Sequence, residues 1–228
     1  MKKIFAIFAL SALALASACA KKWTNNVGVG FTLPISQIGV DESGADDVFQ
    51  IGYGIEGTYV GIHESGFTAK ADLGAGLATS KDISIQGDKT NLGGFYNIAL
   101  GAGYSFVNTE KLTFGLTGML GFDLATYSDS EDDITYDEKK CESVDHTLSY
   151  GIFSVGADLF VSYRIKEHFG FFANLSARYL AVGGTTDEIE WTWKDSNGRK
   201  RKDSSEGDGS DLAGKFRIQP TIGVVWNF

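Results

Sequence analysis

Apolar and polar residues alternate without a break over residues 215–228. One set of alternate positions holds Phe216, Ile218, Pro220, Ile222, Val224, Trp226 and Phe228, and the other holds Lys215, Arg217, Gln219, Thr221, Gly223, Val225 and Asn227. Successive side chains of a β-strand point to opposite faces, so this period of two predicts a strand with one apolar face. Such a strand leaves an unpaired edge unless another strand closes on it. We therefore predict the closing strand of a β-barrel; the alternative is the terminal strand of a soluble sandwich.

Seven further segments alternate in the same way, and with the last one they occupy residues 23–35, 48–60, 67–78, 95–106, 112–124, 148–165, 169–183 and 215–228. The fifth is the most regular: Leu116, Leu120 and Phe122 share its apolar face, while Thr117 and Asp123 share the other. Each segment is long enough for a tilted strand to cross a bilayer. The predicted fold is all-β: an eight-stranded antiparallel up-and-down transmembrane β-barrel.

The connections between these segments alternate in length. Residues 62–66, 107–111 and 166–168 are short connections, whereas residues 36–47, 79–94, 128–147 and 184–211 are long and polar. Short turns at one end and long loops at the other are typical of outer-membrane barrels, in which the long loops lie outside the cell.

Residues 1–20 have the pattern of a cleaved signal peptide. Lys2 and Lys3 precede an apolar run, and small residues lead to a cleavage site after Ala20. The run is too short to span a bilayer. We expect the barrel to occupy residues 21–228. Residues 16–19 also form a loose lipoprotein cleavage box with Ala16 where Leu is usual, so lipidation of Cys19 is an open alternative.

The closing segment, with Val224, Trp226 and Phe228 on one face, resembles the end of bacterial outer-membrane barrels. Together with the eight segments, it makes the chain similar to the small OmpA/OmpX/OmpW-like barrels, although no internal motif is diagnostic. The loose cleavage box and the Gly-rich strands also resemble spirochaete-type barrels. The resemblance implies a bacterial outer-membrane location, a monomer, and the lipid bilayer and the barrel-assembly machinery as partners.

The charge of the chain argues against one class of partner. Of the 20 Lys and Arg residues, two lie in the expected signal peptide, so 18 remain against 29 Asp and Glu and the net charge is −11. Such acidity excludes nucleic acid as an expected partner. Cys141 is the single cysteine after residue 20 and cannot form an internal disulfide.

Charged residues of both signs fall on the inward faces of the predicted strands. The acids are Glu56, Asp72, Asp123 and Asp158, and the bases are Lys70, Arg164, Arg178, Lys215 and Arg217. They could line an ion pathway or form a salt-bridged plug. An eight-stranded barrel has an interior that side chains can fill, and buried charges need partners, so we expect the plug.

The third long connection, residues 128–147, is strongly acidic and contains Cys141. Its acids are Asp129, Glu131, Asp132, Asp133, Asp137, Glu138, Glu142 and Asp145. Carboxylates could attract calcium, but their spacing matches no calcium loop. We expect a solvated acidic loop and a free thiol.

The fourth long connection, residues 184–211, combines Trp191 and Trp193 with the basic run 199–202. The two tryptophans share a face, and Asn197-Gly198 is a strong hairpin-turn signal. We expect a hairpin that projects beyond the membrane. An adhesive tip, or contact of the basic run with anionic lipid headgroups or a host polyanion, is the alternative.

No catalytic, cofactor-binding or metal-binding residues are predicted. His63 and His168 fall in short turns, His146 lies at the base of a loop, and no Ser, His and acid set converges on one face. We expect a structural or surface-interaction barrel with a plugged lumen, which binds any ligand through residues 128–147 and 184–211. The alternative function is a small passive channel for small or apolar solutes.

Overall fold

The computed structural model describes residues 23–40, 47–85, 88–132, 135–136, 139–194 and 197–228. Its strands are β1 (Trp23–Thr32), β2 (Ile35–Val40), β3 (Val48–His63), β4 (Phe67–Ile85), β5 (Asp88–Asn108), β6 (Leu112–Asp132), β7 (Thr135–Tyr136), β8 (Lys139–Lys166), β9 (Phe169–Lys194) and β10 (Lys200–Asn227). No helix in these ranges is long and apolar enough to cross a membrane. The predicted signal peptide, its cleavage site and Cys19 lie outside the described residues.

The strands close into a ring of eight, because β1 and β2 together form one barrel strand. β1 and β2 both pair antiparallel with β10 on one side and with β3 on the other. From β3 the ring continues through β4, β5, β6, β8 and β9 to β10, each strand antiparallel to the next. The short β7 pairs with the start of β8. This is the architecture of an outer-membrane β-barrel and confirms the predicted fold.

Pro34 lies between β1 and β2, and Pro220 on β10 lies opposite the adjacent Leu33. The Leu33 N–H donates to the Pro220 oxygen at 3.0 Å, and the Gly52 N–H donates to the Pro34 oxygen at 2.8 Å. Proline has no N–H to return, so each pair makes one backbone hydrogen bond where the ladder would make two. The register on both sides still continues unchanged from β1 into β2. The closing seam is thus in register but locally short of hydrogen bonds.

The two faces of the strands have the predicted orientations. Ile55 and Ile222 on the outer face are each 64% exposed, whereas Thr117 and Asp158 on the inner face are 0% and 1% exposed. The same alternation holds for the outward apolar residues of every barrel strand. A barrel can therefore place an apolar surface outside while its polar residues fill the inside.

Aromatic side chains mark the two ends of the outward apolar band. Near the short turns, Trp23 lies edge-on to Phe67 with ring centroids 5.9 Å apart. Near the opposite end, Tyr53, Tyr96, Tyr179 and Phe216 are exposed. Phe216 and Trp226 lie at opposite ends of the band on β10, and at about 3.4 Å per residue and about 40° of tilt they span roughly 25 Å along the barrel axis. That height matches the hydrocarbon thickness that such barrels cross.

Three of the four long connections consist mostly of strand, which corrects the prediction of long loops. The strands extend to Ile85 and from Asp88, to Asp132 and from Lys139, and to Lys194 and from Lys200. Beyond the apolar band both faces of a strand can carry polar residues, so the period of two disappears while the backbone ladder continues. The first connection is also strand as far as Val40, and residues 41–46 lie outside the described residues. We call this end of the barrel the hairpin end.

Candidate functional site

The lumen contains a layer of buried ionic side chains, here called the charged layer: Glu56, Lys70, Asp72, Asp123, Asp158, Arg178 and Arg217. Each is 4% exposed or less. The centre of the layer is Lys70 on β4, whose Nζ lies 2.6 Å from both carboxylate oxygens of Asp72 and 2.8 Å from Oδ2 of Asp158 on β8. The Thr58 hydroxyl also donates to Oδ1 of Asp72 at 2.7 Å. One cation therefore holds two carboxylates from opposite sides of the barrel.

A second ion pair crosses the lumen nearer the hairpin end. The Arg217 guanidinium on β10 pairs with Asp123 on β6, whose second oxygen accepts a hydrogen bond from the Ser154 hydroxyl at 3.0 Å. The guanidinium carbon of Arg217 also lies 5.9 Å from the centre of the Phe95 ring. Direct ionic contact and hydrogen bonding are what a buried charge needs to offset its lost hydration.

Arg178 on β9 lies beside the pair of Lys70 and Asp72. Its Nη2 lies 3.9 Å from Oδ2 of Asp72, and its Nε donates to Ser176 at 3.0 Å. Gly121 leaves room for the guanidinium, since a Cβ there would lie 2.8 Å from Nη1. The absent side chain at position 121 therefore leaves space for the Arg178 guanidinium.

Glu56 belongs to a chain of amides and hydroxyls that the sequence did not single out. The Gln219 amide donates to Glu56 and, at 2.9 Å, to Thr32, while Asn97 donates to the Gln219 oxygen at 2.9 Å. In the sequence, Gln and Asn at inward positions between charged neighbours were the signal that could have revealed this chain of amides. These amides complete the polar contacts of the fourth acid in the layer.

Two of the nine predicted lumen residues lie elsewhere. Lys215 is exposed and its Nζ pairs with Asp47 at 3.0 Å, because β10 has a bulge between Leu212 and Lys215 that turns the side chain outward. Lys215 and its neighbour Gly214 both have positive φ angles, of 74° and 83°. Arg164 is half-buried at the short-turn end, where its Nη2 lies 3.4 Å from Oδ1 of Asn227. The charged layer thus contains four acids and three bases.

Buried apolar side chains lie on both sides of the charged layer. On the hairpin side lie Ile38, Ala78, Phe95, Ala125, Tyr127, Tyr150, Ile152, Leu180 and Leu212. Phe95 lies against Gly52 and Gly76, where an added Cβ would meet its ring at 3.0 and 2.7 Å. Gln50 hydrogen-bonds the hydroxyls of Tyr127 and Tyr150, so the polar groups of this layer are paired with one another.

The turn side of the lumen is filled by Val60, Ile62 and Phe160. A cavity of about 10 Å³ lies beside them and is also lined by Asn26 and Asn174. That volume is at the lower limit for one water molecule. Buried apolar clusters therefore lie in the described lumen on both the hairpin side and the turn side of the charged layer.

Beyond the barrel, parts of β6, β8, β9 and β10 continue as a projecting sheet. Asp132 pairs with Ser143, Ser143 with Thr192, and Thr192 with Lys202. Cys141, Val144 and Trp191 form a buried cluster on one face, with Ile189 and Trp193 packed against it. The turn contains Asn197 and Gly198, whose φ is +74°. The predicted hairpin is confirmed.

The opposite face of the projecting sheet carries charged side chains near its tip. Glu142 pairs with Lys194 and, at 2.8 Å, with Lys200, while Lys202 pairs with Glu190 at 2.6 Å. Hydrogen bonds from Lys194 and Lys200 lower the pKa of Glu142 to about 2. The hydrogen bond to Glu190 raises the pKa of Lys202. The basic run thus belongs to an ordered ionic surface on the sheet.

The predicted acidic connection is divided between β6, β7 and β8. No group of three or more His, Cys, Asp or Glu residues able to hold a metal occurs in the part of the chain that the structure describes. Glu142 and Asp145 lie on β8, while positions 133, 134, 137 and 138 lie outside the described residues. Cys141 is in no disulfide with a described residue and is 1% exposed.

The three histidines make separate contacts. His63 Nδ1 contacts Ser65 at 2.8 Å in a short turn, and His168 Nδ1 lies 3.0 Å from the Asn227 oxygen. His146 pairs with Asp187 in the projecting sheet. Within the described residues, no hydrogen-bonding group meets Nδ1 of His146.

Comparisons with known proteins give likeness of fold at low sequence identity. No protein-family model and no curated protein matches the chain. A major outer membrane protein from Thermus thermophilus is 16% identical, with a TM-score of 0.48, over 88% of this chain and 99% of that one. Neisserial surface protein A is 11% identical, with a TM-score of 0.47, over 90% and 97% of the two chains. The attachment invasion locus protein of Yersinia pestis is 10% identical, with a TM-score of 0.42, over 91% and 99%.

Proposed function

We propose that this protein is a bacterial outer-membrane β-barrel with a plugged lumen, and that its work is structural or is done at the surface by its hairpins. The observation that carries the proposal is the set of buried ionic and apolar side chains in the interior. An ionic layer centred on Lys70 lies between the apolar layers that contain Phe95 and Phe160. A solute would have to break buried ion pairs and displace packed side chains in order to pass.

The outer surface supports the location. The apolar band and its aromatic ends suit a bilayer, and the projecting sheet at the hairpin end would stand in the external medium. In this proposal, lipid and the barrel-assembly machinery are the partners of the barrel, which is a monomer within its membrane. Any extracellular ligand would contact residues 128–147 and 184–211. Nucleic acid is not a partner.

Conductance in planar bilayers tests the plug. Purified barrel should give currents near background, and removal of residues 186–208 with a short replacement turn should leave them there, because the filled layers lie below the hairpins. Stable channels whose conductance is proportional to salt would overturn the proposal. Channels that appear only after trimming would place the block in the hairpins instead.

A small passive channel for small or apolar solutes is the alternative. The observation that favours it is the seam between β1 and β10, where the pair Leu33–Pro220 has one backbone hydrogen bond. A seam that opened there would release an apolar solute sideways into lipid. A disulfide across positions 31 and 222, which are paired on β1 and β10, would block such uptake and leave a plugged barrel unaffected.

We also propose that the protein is not an enzyme and needs no cofactor. His146 has an acid partner in Asp187, which is how a catalytic histidine is oriented. Among the described residues, however, its second ring nitrogen contacts no nucleophile. Hydrolysis of a peptide or ester library by purified barrel, lost in His146→Ala, would contradict this part of the proposal.

A further inference from the structure

The upper part of β10 is an open sheet edge. Lys200–Asp208 pair with β9, and pairing with β2 on the other side begins at Leu212. Among the described residues, no strand lies against the second side of residues 200–208. Positions 200–207 are all exposed. Open edges of this kind are templates for a further strand.

Backbone amides on this edge point outward and can accept a partner. In an antiparallel ladder every second residue directs its N–H and C=O away from the neighbouring strand. The Ser204 N–H donates to Oδ1 of its own neighbour Asp203 at 3.1 Å, which places Ser204 in the outward set. Residues 200, 202, 206 and 208 have the same parity. A strand that paired with this edge would meet a regular row of donors and acceptors centred on Ser204.

Charge changes sign along the same edge. Lys200, Arg201 and Lys202 form its first half, and Asp203, Glu206 and Asp208 follow in its second half. Charges on an edge normally prevent pairing. This order of charges fits an antiparallel copy of the same edge, because the basic half of each copy would meet the acidic half of the other. With Ser204 opposite Ser204 of the copy, Lys202 lies opposite Glu206 and Lys200 opposite position 208.

We propose that the β10 edge binds the β10 edge of a second copy of this chain, antiparallel and centred on Ser204. The proposal rests on the surface-interaction role proposed above and names its partner. The pairing unites outward-pointing amides on both chains and places no like charges directly opposite. A register shifted by two residues toward the tip would bring Asp203 opposite its own copy, and a shift by four toward the barrel would do the same for Glu206.

The symmetry of this pairing determines where the second copy sits. A twofold axis normal to the sheet reverses every direction in the sheet, and the barrel axis lies in the plane of the barrel wall. The second barrel therefore points the opposite way, as it does in an opposed membrane. Two copies in one membrane would have to pair in parallel, with Lys200 and Lys202 beside their own copies. The edge therefore fits contact between two membranes and leaves each barrel a monomer in its own bilayer.

A single edge contact of this length is small, so we expect each contact to be weak and many contacts to act together. Many copies on facing surfaces would add their contacts, since each bond formed raises the effective concentration of the next. The exposed ion pairs would be screened by salt, so the contact should weaken as ionic strength rises.

Clustering of vesicles tests the proposal. Full-length barrel is inserted into phosphatidylcholine vesicles, outward orientation of the hairpins is checked by protease access, and clustering is followed by light scattering in the presence of EDTA. Wild-type vesicles should cluster. Lys202→Glu and Glu206→Lys each place like charges opposite one another, so each variant alone should cluster about tenfold more slowly or worse.

The two variants should cluster with each other. The K202E copy carries a carboxylate at both positions 202 and 206, and the E206K copy carries an ammonium at both. The two copies therefore meet as opposite charges, and mixing K202E vesicles with E206K vesicles should restore the wild-type rate to within about twofold. Glu188→Lys on β9 is the matched control: it makes the same charge change directly beside position 206, away from the edge, and should cluster like wild type. Equal loss in E188K, or no rescue on mixing, would overturn the edge pairing.

Cross-linking fixes the register. In a Cys141→Ser background, Ser204→Cys should form disulfides between differently labelled vesicles under mild oxidation, because residue 204 faces its own copy. Ser205→Cys, on the other face and opposite Asp203 of the copy, should form several-fold fewer. Absence of any preference for position 204 contradicts the stated register. Conductance is independent of these results. An open lumen would contradict the plugged barrel and leave the edge pairing untouched, whereas vesicles that do not cluster would contradict the edge pairing and leave the plugged barrel untouched.

Discussion

The ammonium of Lys70 on β4 lies 2.8 Å from the carboxylate of Asp158 on β8, across the interior of the barrel. The two side chains are 0% and 2% exposed. Because Lys70 also neutralises Asp72, it is the shared cation of two buried acids. This contact joins opposite walls of the barrel, so its loss affects more than one strand.

Lys70→Met should therefore be strongly destabilising. It leaves Asp72 and Asp158 buried without their cation, which costs about 3–5 kcal/mol for a truly buried pair. The free energy of unfolding in urea, measured in lipid vesicles, should fall by that amount. Lys111→Met, in the exposed short turn between β5 and β6, is the control and should change it by less than about 0.5 kcal/mol. A loss below about 1 kcal/mol for Lys70→Met would mean that water reaches the pair.

Arg178→Ala should destabilise the barrel without opening it. Arg178 is 2% exposed and lies between Asp72 and Ser176, so its removal leaves buried groups short of a partner. We expect a loss of about 3–5 kcal/mol in the free energy of unfolding and conductance near background. Arg178→Ala channels with altered ion selectivity and unchanged stability would show instead that the inward residues line a pore.

Leu120 and Thr117 test which face meets lipid. Leu120 is 55% exposed on the outer face of β6, and Thr117 is 0% exposed on the inner face. Leu120→Arg should cost about 2–4 kcal/mol, because it places a charge near the middle of the bilayer. In a Cys141→Ser background, a lipid-soluble thiol probe should label Leu120→Cys and spare Thr117→Cys. The reverse labelling pattern would shift the register of β6 by one residue.

Glu142 should make the tip of the projecting sheet sensitive to acid. Its folded-state pKa is lowered to about 2 from 4.5 by hydrogen bonds from Lys194 and Lys200. Since the folded pKa is the lower one, the stabilisation is present above about pH 4.5 and is lost as the pH falls toward about 2. Amide exchange of residues 188–194 should be slower in wild type than in Glu142→Gln at pH 6, with the difference shrinking over that window. Equal exchange rates at pH 6 would show that Glu142 does not stabilise the tip.

Local patterning in the sequence was sufficient for the ring of eight strands and for the direction of most side chains. The period of two at Leu116, Leu120 and Phe122 depends only on strand geometry and on which face meets lipid, so it can be read without knowing any neighbour. The projecting hairpin was likewise predicted from Trp191, Trp193 and the Asn197-Gly198 turn.

Strand length and the bulges required the tertiary structure. β8 and β9 continue far beyond the apolar band, because backbone pairing continues in water and does not require an apolar face. Their full length is therefore not visible in the hydrophobic pattern. Lys215 has the parity of an inward residue, yet a bulge with positive φ angles turns it to the rim. A bulge depends on how two strands meet, and alternation within one strand does not reveal it.

The partners within the lumen were also decided by the closed barrel. The sequence by itself determined that acids and bases point inward, and hence that they had to pair. It did not determine that Lys70 would meet Asp158 or that Arg217 would meet Asp123, because these residues lie on non-adjacent strands. Which side chains face each other across a barrel depends on the tilt and stagger of all eight strands together, and that geometry exists only when the ring has closed.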